Sequence, residues 1–259
     1  MRNVFRVILF FSLALFVFSS SAFAQASSNP ASSKPAFVKN TDAAILKAGL
    51  DSTSRTKELE KLGWTVSGNS SPGVIPLSPA GCGSIANQPI MKQFDGSTGR
   101  YVYLVQANWQ FSSSCSWDDT SGNAPDAVAL AVTDQNGSSV NAQPEYAQIY
   151  TYTSGGTSEP NNCTISSYNG SGLTGTVTDT GGFFSLNVGY SGQVWFYIVQ
   201  PTSGTSYYQR SQWTHTWSST STSLSGISLS YNPFNLTTTW STGAPQQWQT
   251  ADQSSVVFN

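Results

Sequence analysis

The stretch RYVYLVQANWQF, residues 100–111, alternates along its whole length. In an extended chain Tyr101, Tyr103, Val105, Ala107, Trp109 and Phe111 share one face, because successive side chains of a strand point to opposite sides. A helix would scatter the same residues around its circumference. This period predicts a long strand with at least one buried face. Immediately upstream, KQFDGSTG supplies a shorter strand and an Asp95-Gly96 turn, so the two read as a hairpin.

The same period recurs along the chain after this hairpin. DAVALAVT (126–133) sets Val128, Leu130 and Val132 against three alanines, and EYAQIYTYT (145–153) groups Tyr146, Tyr150 and Tyr152. FFSLNVGY (183–190) aligns Phe184, Leu186, Val188 and Tyr190. QVWFYIVQ (193–200) is apolar on both faces and reads as a central strand covered on both sides. GISLSY, FNLTTTW and a closing SVVF complete the set, with Asn136-Gly137 and Asn169-Gly170 as further turns. Strands at this spacing, without long helical patterns between them, predict an all-β, antiparallel, jelly-roll-like β-sandwich occupying residues 64–259.

The N-terminus reads differently. Residues 1–24, MRNVFRVILFFSLALFVFSSSAFA, combine two arginines, a short apolar run and an Ala22-Phe23-Ala24 ending. That is the pattern of a secretory signal peptide, and the run is short for a membrane span. Residues 25–40, rich in Ser, Pro and Ala, read as a flexible tether. Residues 41–63 form the charged part of the chain and predict a short helix capped by Ser52 or Ser54, with Leu59 and Leu62 on one side and Gly63 as its stop. This segment suits a docking helix, a spacer or a pro-segment. The expected address is extracellular.

Charge narrows the partners. Only 9% of the residues are charged, while 13% are aromatic. Without Arg2 and Arg6, nine Lys and Arg face thirteen Asp and Glu, a net of −4. Beyond Trp64 only Lys92, Arg100 and Arg210 are basic, too few for a phosphate-binding surface, so neither nucleic acid nor an anionic membrane is an expected partner. Five N-x-S/T sequons occur, and they acquire meaning only in a host that glycosylates.

Of the three cysteines, Cys115 follows the long strand and is expected in a disulfide with Cys82 or Cys163. No C-x-x-C pair and no neighbouring histidine suggests a zinc site. GSGLTG (170–175) has the form G-x-G-x-x-G, but TVTDTGG follows instead of a helix, so no dinucleotide site is read from it. No G-x-S-x-G elbow and no paired histidines are present. Glu145 and Glu159 lie beside prolines in turn-like contexts, which gives carboxylate catalysis little footing.

Two constellations stand out. In YYQRSQWTHTWSS, Tyr207, Trp213, His215 and Trp217 fall on one face, with Arg210 on the other. The first face is either a platform for stacking sugar rings, with Arg210 as a flanking polar partner, or the inside of the sandwich. In CSWDDTSGNAPDA, Asp118, Asp119, Asn123 and Asp126 offer hard oxygen ligands within one loop, a candidate calcium site without EF-hand spacing; a solvated loop is the plainer reading. No other cofactor is indicated. The functional expectation is a secreted, non-enzymatic β-sandwich that binds glycan or another extracellular surface. The alternatives are a structural surface or matrix component, and a hydrolase that works through carboxylates without a recognisable motif.

Overall fold

The computed structural model describes residues 34–67, 71–75, 81–112, 124–134, 136–138, 143–158, 162–179, 189–199, 201, 204–217, 223–231, 233–243 and 245–258. The signal-peptide region and the strand expected over most of 183–190 lie outside them. The described elements are α1 (Ala36–Ala48), α2 (Ser52–Lys61), β1 (Thr65–Val66), β2 (Ser71–Ile75), β3 (Gly83–Asn87), β4 (Met91–Asp95), β5 (Arg100–Phe111), β6 (Asp126–Asp134), β7 (Gln143–Tyr152), β8 (Cys163–Asn169), β9 (Gly172–Val177), β10 (Ser191–Val199), β11 (Ser206–Trp217), β12 (Ser223–Tyr231), β13 (Phe234–Thr242) and β14 (Gln246–Val257).

The strands form an all-β antiparallel sandwich. Sheet A runs β1-β4-β5-β10-β7, with β3 also paired to β5; sheet B runs β2-β14-β11-β6-β9-β8. The alternation of RYVYLVQANWQF does what its period requires. Tyr103, Val105, Ala107, Trp109 and Phe111 enter the core between the sheets, joined by Val194, Phe196 and Ile198 of β10 and by Val128, Leu130 and Val132 of β6. At the exposed end of the hairpin Tyr101 lies beyond the covered core and packs edge-on against its ladder partner Phe94 in solvent. β10 is central, between β5 and β7, and is covered on both faces.

Each sheet carries an outer layer, and the sequence explains both. On sheet B the alanines of β6 are small enough for a β12–β13 ribbon to lie close. Leu236 is fully buried on Ala127 and Ala129, and its peptide N–H donates to Gln212 Oε1 at 3.0 Å. On sheet A the outer layer is a helical hairpin. Its residues Val38, Ala44, Ile45 and Leu59 pack with Trp64, Met91, Val102, Leu104, Trp195 and Tyr197 as a second core.

This hairpin revises the reading of the N-terminal region. α1 begins at Ala36, inside the segment read as tether, because Val38 and Ile45 have an apolar sheet face to bury against. The cap of α2 is Asp51, whose carboxylate accepts from the N–H groups of Thr53 and Ser54, rather than Ser52 or Ser54. Leu59 is buried but Leu62, beyond the last turn of α2, is 36% exposed. Gly63 follows with φ +89, a left-handed conformation that suits glycine after a helix.

Between the sheets, Gly83 marks a close approach. A Cβ there would overlap the Trp248 ring and stand 2.7 Å from Trp213 Cζ3. Both rings belong to the core, so little room exists to move them. Gly83→Ala is expected to destabilise the fold by roughly 1–3 kcal/mol, the range for overpacking a filled core. Urea unfolding checks this; an unchanged midpoint would show that the two indoles can shift.

Candidate functional site

The Trp-rich face of β11 points inward. Trp213 and His215 are 0% exposed and Tyr207 4%. They therefore cannot form the sugar platform that the alternation allowed, and the inside reading of that face holds. Phe111, Trp213, Trp217 and Trp248 surround the imidazole, with ring centroids 5.1–5.9 Å away. Trp217, half-buried at the strand end, stacks on it. Tyr207 packs against Phe258. Arg210 lies on the opposite face and ties the outer ribbon to sheet B. It donates to Gln253 Oε1, Thr133 Oγ1 and the Tyr231 carbonyl, and its guanidinium lies over the Tyr208 ring.

Asp126, read from the sequence as part of a calcium loop, is the hub of this buried face. It is the first residue of β6, paired by sheet register close to the end of β11. Its Oδ2 accepts from Trp213 Nε1 at 2.8 Å and its Oδ1 from the Thr216 N–H at 2.8 Å. His215 Nδ1 lies 3.0 Å from Oδ1, which fixes the proton-bearing nitrogen as Nδ1. Asp179, two residues beyond β9 and equally buried, brings its Oδ2 to 3.4 Å from the same nitrogen. Of the candidate calcium set, Asp126 turns into the core, while Asp118, Asp119 and Asn123 lie outside the described residues. Asp126, Asp179 and His215 do place ligand atoms within 4.8 Å of one another. Both Asp126 oxygens already accept from protein donors. The cluster has no exposed surface and forms a polar island in the core. Asp179, in TVTDTGG, carried no signal of this role because its partners are remote in sequence.

A second concentration of polar groups lies on the outer face of sheet A. Partners across an antiparallel ladder project to the same side. The register then gives one row of Asn108, Gln193 and Tyr150, and the next of Gln106, Trp195 and Gln148. Tyr150 stacks on Trp195 with centroids 5.5 Å apart and planes 16° from parallel. Gln193 Nε2 donates to the Tyr152 hydroxyl. Most of this face is sealed by the helical hairpin. Gln106, Gln193 and Trp195 are buried, while Gln148, Tyr150 and Asn108 are half-exposed at the margin. Beside Tyr150, where the edge of β7 meets β8, a groove of about 350 Å³ is lined by Gln148, Ile149, Tyr150, Cys163, Thr164 and Ile165. A wider depression on α2, lined by Ser54, Lys57, Glu58, Glu60 and Lys61, is the flank of one solvated helix and gathers no convergent groups.

The hairpin inserts two charged side chains into this face. Asp42 Oδ1 accepts from Trp195 Nε1 at 2.9 Å and from the Tyr197 hydroxyl at 2.8 Å, and Lys34 pairs with its other oxygen at 3.0 Å. Arg55, 2% exposed, donates to Asn108 Oδ1 at 2.9 Å and to the Gly49 carbonyl at 2.6 Å. Burial pushes its guanidinium down to about 10. Burial also raises the phenols of Tyr103, Tyr150, Tyr152 and Tyr231, and raises that of Tyr197 the most.

Of the cysteines, Cys163 keeps a thiol that donates to Thr151 Oγ1 at 3.8 Å. Cys82 immediately precedes β3 and its carbonyl accepts from the Ser112 N–H; Cys115 is outside the described residues. Among the described residues no helix is long and apolar enough to cross a membrane.

No protein-family model matches the chain, and a search of curated proteins found no match. Among solved structures, a match comes from work on pH-induced modulation of Streptococcus parasanguinis adhesion by Fap1 fimbriae. It is 11% identical, covers 73% of this chain and 96% of that one, and has a TM-score of 0.31, too low to carry a functional inference.

Two outcomes follow from these environments. Asp126→Ala strands the Trp213, His215 and Thr216 donors in the core and is expected to destabilise the protein by roughly 3–5 kcal/mol. A loss below about 1 kcal/mol in urea unfolding would show that the cluster is not a hub. The raised phenols act above neutral pH: unfolded tyrosines ionise near 10 while the folded ones resist, so above that pH the folded chain binds more protons. Stability is then expected to be unaffected by these groups below about pH 9 and to fall as pH rises past about 10. Thermal melts across the alkaline range, with Tyr197→Phe reducing the slope, check the sign.

Proposed function

We propose that this chain is a secreted, non-enzymatic β-sandwich that binds neutral glycan through the outer face of sheet A. The observation that carries the reading is the pair Tyr150 and Gln148, half-exposed at the rim of an open groove, with the Tyr150 ring held by its stack on the buried Trp195. Flat aromatic rings offer area to the apolar faces of sugar rings, and side-chain amides both donate to and accept from hydroxyls. The two rows of this outer face contribute no charge, which suits an uncharged polymer better than an acidic one or a phosphate backbone. The Asp126–His215–Asp179 cluster favours binding over hydrolysis, since a sealed acid–base group cannot meet a substrate.

An extracellular address agrees with the N-terminal signal pattern. We further propose that Cys82 pairs with Cys115. Cys163 is engaged as a thiol with Thr151, and Ser112, three residues before Cys115, is hydrogen-bonded to Cys82.

The test is retention on a panel of insoluble neutral polysaccharides. Tyr150→Ala and Gln148→Ala sit at the half-exposed margin and are expected to leave the melting temperature within a few degrees of wild type. Tyr150→Ala is expected to weaken retention about tenfold, as loss of a central aromatic contact does. Retention that survives both changes would remove this face, and absence of retention on every polysaccharide would remove the ligand class.

A further inference from the structure

We infer that the α1–α2 hairpin is a displaceable cover over the binding face of sheet A, so that a neutral glycan and the hairpin compete for the same amides and aromatic rings. The inference rests on the glycan reading above and adds regulation to that site.

Its physical basis is the quality of the seal. Under the hairpin, Gln106 Oε1 and Gln193 Oε1 are buried without a hydrogen-bond partner among the described residues, and so is Arg55 Nε of the hairpin itself. Folded interiors leave few such atoms, because each loses its water without replacement. Here three occur at one interface, on the two sides of the same contact. The buried Arg55 guanidinium is met by a side-chain amide and a peptide carbonyl, both neutral. The other insertion, Asp42, takes the donors of Trp195 and Tyr197, the ring groups that a sugar hydroxyl would engage in its place. The hairpin thus fills the face with two charged tips and leaves the Gln106 and Gln193 amide oxygens unanswered. Hydroxyl groups, which donate and accept, would answer them.

The hairpin is also built to leave. Ten of the chain's 24 charged residues fall within 34–61, so its outer side remains well solvated when undocked. α1 buries Val38, Thr41, Ala44 and Ile45, whereas α2 buries only Arg55 and Leu59. After Trp64, its covalent link to sheet A is β1, a two-residue strand at the sheet edge. Supersecondary units of a native protein can open as a unit at free energies below that of global unfolding.

The experiment uses the full mature chain and the double variant Asp42→Ala/Arg55→Ala. Native-state hydrogen exchange is read at residues 36–61 and in β5 and β10, and binding is read on the same neutral polysaccharide panel. In the wild type, amides of 36–61 are expected to exchange faster than those of β5 and β10. In the double variant their exchange is expected to rise at least tenfold, with β5 and β10 still protected, and polysaccharide affinity to rise at least fivefold. Exchange of the hairpin only together with β5 and β10 would make it an integral layer and overturn the inference. An opened hairpin with unchanged or weaker binding would overturn it as well, while leaving the marginal groove as the site. Opening without binding by either chain would sink the glycan reading itself, and the competing ligand with it.

Discussion

A carboxylate with no exposed surface sets how the two halves of sheet B meet. Asp126 sits at the start of β6 and receives an indole, an imidazole and a peptide N–H, all from the last turns of alternation in β11. A one-residue slip of β11 would point Trp213 and His215 outward and leave the carboxylate alone in an apolar core. Hydrophobic alternation alone tolerates several registers; this hydrogen-bond hub admits one. The aromatic cage around His215 then fills the space between the sheets, and Gly83 leaves room for its tryptophans.

The two outer layers follow from the residues opposite that core. Alanines on β6 let a two-stranded ribbon approach sheet B closely, and Arg210 fastens it by bonds to both layers. Sheet A is broader in chemistry. One end of its outer face, at Val102, Leu104 and Tyr197, is apolar and holds the helices; the other, at Asn108, Gln106 and Gln193, is amide-rich and is held by charged tips. A chain with so few charges spends several of them at this one contact, which sets the hairpin apart from the neutral sandwich beneath it.

The long strands, their faces and the sandwich class were legible in the sequence because a period of two survives in any sheet that buries one face. Burial on both faces of β10 was legible for the same reason. The start of α1 was not, since Ser- and Pro-rich flanks hide a helix that is stabilised by docking and not by propensity. The amides of β5 were visible in RYVYLVQANWQF as the face opposite Tyr103 and Trp109, yet their meaning depends on which strand lies alongside. Asp179 was invisible as a core group, because nothing local marks an aspartate whose neighbours are 36 and 53 positions away along the chain.

The sequence by itself determined that the chain is β-rich, antiparallel, poor in charge and led by an export-like segment, since composition and periodicity are properties of the chain alone. Only the tertiary structure decided which way the Trp213–His215–Trp217 face points. A strand with aromatic residues on one side and threonines, Gln212 and Arg210 on the other has two candidate interiors. The choice was made by Asp126 and Asp179, which supply buried partners for the indole and imidazole on one side only. With that face buried in the core, the half-exposed Tyr150 and Gln148 of sheet A stand at the margin of the outer face of the sandwich's other sheet.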